Sequence, residues 1–135
     1  MEQFETWAAR HAPELKTVEG LLGRGLPDDA EGVWNALREI EAHYGRLQYL
    51  VAQADAYLDV AERRELNRVI RENTEKLAAY EKEVNVKAAC ADERQFRDLV
   101  QGLLDAVRTR IMLGQSRMRY LRDLYADAPV RGRGE

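Results

Sequence analysis

Residues 33–61 read VWNALREIEAHYGRLQYLVAQADAYLDVA. Val33, Leu37, Ile40, Tyr44, Leu47, Val51, Ala54, Leu58 and Ala61 recur at alternating spacings of four and three. Such a stripe is a coiled-coil seam, and it requires a partner helix. Beyond Ala61 the register loosens through Leu66, Val69, Ile70, Leu77, Tyr80 and Val84, with neither Pro nor Gly to stop the helix. The pattern predicts one long, at most slightly broken, helix over about 29–84. At 1.5 Å per residue it would reach roughly 80 Å. A fold-back at RENTE (71–75) is the alternative.

Upstream, GLLGRGLP (20–27) ends anything helical, and Asp28 followed by Glu31 matches a capping box. Residues 1–27 read as a helical appendage: Glu2 to His11 as one short helix, then a second opened by Pro13. Phe4 and Trp7 incline it towards packing. Downstream, NVKAACA (85–91) is a softer stretch, and Asp92 with Gln95 forms a second capping box. Phe96, Val100, Leu103, Val107, Ile111, Gly114, Met118, Leu121 and Tyr125 then repeat at an average near 3.6, which describes a straight amphipathic helix over about 92–126. It should return antiparallel along the first. Residues 127–135 read as a flexible tail. The fold class is all-α: a helical-hairpin assembly domain over 28–126 that self-associates into an oligomer. Leu37, Tyr44, Leu47, Val51 and Leu58 are its candidate assembly residues.

Composition agrees. The chain has 135 residues, a third of them charged, with two Phe, two Trp and three Pro. No window approaches the ~18 apolar residues of a membrane span. The N-terminus is no secretory signal, and one cysteine, Cys90, suits a reduced, cytoplasmic setting. Cys90 itself reads as a small hydrophobe.

Chemistry is hard to find. His11 and His43 lie on different segments without a carboxylate or Cys at ligand spacing, and no Gly-rich phosphate loop or zinc-type Cys pair exists. The expectation is a protein that is not an enzyme, with no cofactor and no metal.

Charge is uneven. Net charge is −3, but residues 1–60 carry −6 and residues 106–135 carry +4, and Arg supplies 17 of the 21 basic residues. Arg63, Arg64, Arg68 and Arg71 cluster on one helix, with Arg64, Arg68 and Arg71 on a shared face. Arg108, Arg110, Arg117, Arg119 and Arg122 flank the last apolar stripe, where acids are scarce. Such edges suit phosphate, with Tyr120, Tyr49 or Tyr57 as stacking partners. The alternative is an ordinary salt-bridged helix face. Arginines 63–71 along one open groove would favour strand binding, and the same residues locked in ion pairs would favour a protein-only role.

The run DLVQGLLDAVRTR (98–110) resembles the C-terminal helix of the UvsY-type recombination mediators of tailed phages, and NVKAACAD (85–92) is similar to the segment before it. The resemblance implies a ring of six or seven helical subunits in the host cytoplasm. Such a ring binds single-stranded DNA and loads a recombinase in place of single-strand-binding protein. By position, Arg63, Arg64, Arg68 and Arg71, with Lys87, would contact DNA, alongside the candidates Arg108, Arg117 and Arg119. Leu103, Leu104, Val107 and Ile111 would carry assembly. This sequence departs from the pattern in its acidic first half and in the Glu62, Glu65 and Glu72 interspersed among the arginines. A coiled-coil scaffold, adaptor or inhibitor without nucleic-acid binding is the rival function.

Overall fold

A computed structural model of the chain describes residues 2–72 and 79–133, with side-chain surroundings up to residue 126. It is all-helical: α1 (Phe4–Leu22), α2 (Ala30–Glu72), α3 (Ala79–Ala89) and α4 (Ala91–Arg133), with no strand among the described residues.

The periodic stripe of α2 is covered from within the chain. α4 runs along α2, and its direction follows from cross-helix pairs. Arg94, Arg97, Arg108 and Arg117 reach Glu62, Asp55, Tyr44 and Asp28 respectively, so one number rises as the other falls. The two helices are antiparallel. α1 lies against both: Trp7 Nε1 donates to Gln53 Oε1 at 3.1 Å, and Arg46 Nε donates to Glu14 Oε1 at 2.9 Å. Val33, Leu37, Ile40, Leu47, Val51 and Ala54 are buried, and Ile40, Leu47, Val51 and Ala54 share one core with Val100, Leu103, Leu104 and Val107 of α4. Leu50 is fully buried too, although it lies off the seam, because α1 adds a third layer there. Each such leucine is worth about 2–5 kcal/mol against Ala.

α1 is one helix, not two. Pro13 lies inside it, and Thr17 Oγ1 donates to the Pro13 carbonyl at 3.1 Å. The missing amide is offset by packing: Trp7, His11, Leu15 and Val18 share the inward face and are buried. Phe4, Trp7, Tyr57 and Phe96 stack into one aromatic cluster, with Trp7 and Tyr57 centroids 4.8 Å apart.

The cap of α2 is Asp29, one residue later than the sequence pattern suggests. Its Oδ2 accepts from Gly32 N–H at 2.9 Å, as an N-cap carboxylate does. A Cβ on Gly32 would stand 2.6 Å from Asp29 Oδ1 and 2.7 Å from Pro27 Cβ, so a glycine keeps this cap open. Asp28 is thereby free to pair with Arg117, at 3.2 Å.

The single helix over 29–84 does not form. α2 is described as far as Glu72, and α3 packs back on it, as the alternative of a fold-back near 71–75 has it; residues 73–75 of that fold-back, like the continuing apolar residue Leu77, lie outside the described residues. Leu66 of α2 and Val86 of α3 line a common surface groove, in which Leu66 stays exposed. The soft stretch at 85–91 shrinks to Cys90. Its N–H bonds Val86 O at 3.1 Å, and Arg94 N–H bonds Cys90 O at 3.0 Å, so α3 and α4 continue nearly as one helix. Helix also persists to Arg133, beyond the expected end near 126, because propagation of a formed ladder is cheap.

Gly114 sets the closest approach of α2 and α4. A Cβ there would stand 2.8 Å from Leu37 Cγ, so only glycine lets Leu37 seat on the helix backbone.

Candidate functional site

The arginines of 63–71 lie mostly in contacts of their own helix. Arg68 is held on both sides, by Glu65 at 2.9 Å and Glu72 at 2.8 Å. The Glu65 hydrogen bond, then its charge, then Glu72, push the guanidinium above its ordinary range. Arg63 pairs with Asp59 at 3.2 Å, and Arg71 Nε donates to the Asn67 carbonyl at 3.3 Å. Arg64 forms no ion pair with a described residue and lines a groove beside Glu2, Glu5 and Glu93. Lys87 pairs with Glu83 at 3.0 Å. The helix spacing that makes this cluster visible in the sequence also supplies acids one turn away.

The arginines of α4 divide by task. Arg110 donates to the carbonyls of Leu22 and Arg24, both at 2.6 Å, and so satisfies orphan acceptors where α1 ends. Arg117 reaches Pro27 O at 3.4 Å as well as Asp28. Both tie the α1–α2 connection to α4. Arg108 Nε lies 3.4 Å from Tyr44 Oη, and its guanidinium sits 5.9 Å from that ring. Arg97 is held charged by Asp55 first and Asp98 second.

Arg119 differs, and it has company. It lines a surface groove of about 460 Å³ together with Trp34, Arg38, Glu41, Gln115, Met118 and Arg122. Trp34 is 53% exposed, which is unusual for the largest apolar side chain. Arg38 follows it by four residues on α2, while Arg119 and Arg122 arrive from α4. None of the three arginines forms an ion pair with a described residue, and Glu41 is the only carboxylate in the lining. The groove exists because the antiparallel pairing of α2 and α4 brings residue 34 opposite residues 115–122. An exposed indole that shares a groove with guanidinium groups can stack a flat ring while they neutralise phosphate. Arg119 and Arg122 already stand out in the sequence as flanking the last apolar stripe; Trp34 and Arg38 join them only in three dimensions. The Trp-x-x-x-Arg spacing at 34–38 was the one local signal.

Of the expected stacking tyrosines, Tyr57 belongs to the core cluster, where it donates to the Glu2 carbonyl at 2.7 Å, and burial, then Glu2, raise its pKa. Tyr49 lies beside Arg46, 5.6 Å from ring to guanidinium, and Tyr120 is exposed.

The proposed assembly residues Leu37, Leu47, Val51, Leu103, Leu104 and Val107 are buried in the chain's own core, with Tyr44 and Ile111 packed against it and Leu58 half-buried. A second copy reaches them only by displacing α1 or exchanging α4.

His11 is buried against the Trp7 ring, with Arg46 at 3.3 Å and Glu14 at 3.5 Å from Nδ1. Cys90 is buried, and desolvation, then Glu93, push its thiol pKa up. Among the described residues no three His, Cys, Asp or Glu gather as metal ligands, and no helix is long and apolar enough to cross a membrane.

Fold and site together define an all-α protein of four described helices with an aromatic–arginine groove between α2 and α4. No protein-family model matches the chain, and no curated protein or solved structure matches it either.

Proposed function

We propose that the protein is a non-catalytic single-strand-DNA-binding helper of the recombination-mediator kind, and that the strand lies across the Trp34–Arg38–Arg119–Arg122 groove. The observation that carries this reading is the exposed indole in one groove with three guanidinium groups that form no ion pair with a described residue. Stacking on an exposed aromatic is sequence-tolerant because every base has a π-face, and it needs bases that are unstacked, as in a single strand. Duplex DNA hides those faces. The resemblance of residues 98–110, and of 85–92 before them, to UvsY-type mediators adds the partners: a recombinase to be loaded and a single-strand-binding protein to be displaced. Arg63, Arg64, Arg68 and Arg71 then become secondary contacts. The exposed ion pairs of Arg63 and Arg68 are individually weak and can be exchanged for phosphate.

A second reading, a coiled-coil scaffold, adaptor or inhibitor that touches no nucleic acid, is favoured by the ion pairing of Arg63 and Arg68. It also draws on the exposed Ile70, Tyr80 and Val84 near the hairpin tip. Fluorescence anisotropy of labelled oligo-dT and of the matching duplex, at low and physiological salt, separates the two. Salt-sensitive binding of the single strand alone supports the helper. No binding of either at low salt overturns it and leaves the protein-only reading.

A further inference from the structure

α4 carries a second heptad pattern on the face turned away from the core. Leu99, Gly102, Ala106, Thr109, Leu113, Ser116 and Tyr120 alternate spacings of three and four, all are exposed, and none is charged. In a chain one-third charged, an uncharged stripe over 22 helical residues is unusual. Leu99 is 44%, Leu113 54% and Tyr120 61% exposed, so no described residue covers it.

Gly102 is a second, independent observation. A Cβ added to it meets nothing within 4 Å, whereas one on Gly114 runs into Leu37. Glycine inside a helix costs about 1 kcal/mol relative to alanine. Gly114 repays that cost through close packing in this chain; Gly102, like the exposed helical Gly20 and Gly45, has no such return, and of these only Gly102 lies on the uncharged stripe.

We infer that this face is the contact between two copies of the chain, whose α4 helices pair antiparallel about a two-fold axis passing between Val107 and Arg108. An antiparallel heptad register sets Leu113 of one copy over Gly102 of the other, Leu99 against Ser116, and Ala106 against Thr109. Each large side chain meets a small one, and the notch at Gly102 acquires an occupant. The same register sets Asp98 of one copy against Arg119 of the other at both ends, an opposite-charge pair repeated by symmetry. The contact spans about 30 Å at 1.5 Å per residue. It uses neither Leu103, Leu104 nor Val107, which stay in the core. A two-fold contact closes on itself, unlike the head-to-tail contacts of a six- or seven-membered ring. Arg119 lies at the boundary between this contact and the Trp34 groove, whose other cations stay free.

Sedimentation equilibrium and disulfide trapping test the pairing without DNA, so the result is independent of the strand-binding reading. Leu99→Cys and Ser116→Cys chains, each also carrying Cys90→Ala, are mixed and oxidised. The expected result is a dimer in which Leu99→Cys cross-links to Ser116→Cys and neither cross-links to itself. Gly102→Leu, which has open space in its own chain, should keep its helical circular dichroism and weaken the dimer at least tenfold. A monomer at every concentration overturns the inference. So do self-cross-links of Leu99→Cys, which mean parallel packing, or a Gly102→Leu chain that dimerises as the parent does.

Discussion

The arginines of 63–71 and those around Trp34 are chemically identical and environmentally opposite. The first set stands on one helix, and its acids stand on the same helix: Arg68 lies between Glu65 and Glu72, and Arg63 leans on Asp59. The second set converges from α2 and α4 on an exposed indole, and none of its three members has an ion-pair partner among the described residues. A cluster of positive charge in sequence therefore says little about free positive charge in space. What matters is whether the neighbours at three and four residues are acids, and which other helix lies alongside.

The largest effect that would sharpen this contrast is on strand binding. Arg38→Ala with Arg122→Ala should weaken oligo-dT binding more than tenfold at low salt. It should also lower the slope of log affinity against log salt by about 1.4, since each single-strand phosphate contact contributes about 0.7. Anisotropy titrations at several salt concentrations check both. Trp34→Ala should cost about 1–3 kcal/mol of binding while leaving the salt slope unchanged, because it removes stacking and no charge.

A stability comparison comes next. Arg110→Ala strands the carbonyls that close α1 and should destabilise the fold by about 1–3 kcal/mol in urea. Arg38→Ala, on the surface, should stay within about 0.5 kcal/mol. An Arg110→Ala chain as stable as the parent would remove the distinction between fold-bearing and free arginines on these helices. At the small end, Arg68→Ala should leave both the melting midpoint and oligo-dT affinity without a resolvable change. The Cys90 thiol, buried and raised in pKa, should react with alkylating reagents only as fast as the fold opens.

The core was legible in the sequence because heptad spacing is a local property. The stripe from Val33 to Ala61 and its antiparallel return were readable, as was the packing of Phe4 and Trp7. Pro13 misled, because a proline is equally at home opening a helix and lying within one that is packed tightly enough. Asp28 and Asp29 are adjacent, and which of them caps depends on where Arg117 draws the chain, 88 or more residues away. That α3 packs back on α2 carries no Pro or Gly signal between residues 61 and 84, and the groove that Leu66 and Val86 then share leaves Leu66 exposed. Of the groove, Arg119 was visible and Trp34 was not, since its partners are set by the pairing of α2 with α4 and not by spacing along either.

Intrinsic tryptophan fluorescence gives the most direct test, because Trp7 is buried and Trp34 is the exposed indole. Oligo-dT should quench the parent protein and a chain lacking the side chains of Arg63, Arg64, Arg68 and Arg71, but not Trp34→Phe. Quenching that survives Trp34→Phe, or that vanishes only when residues 63–71 are changed, would contradict the placement of the strand on the Trp34 groove.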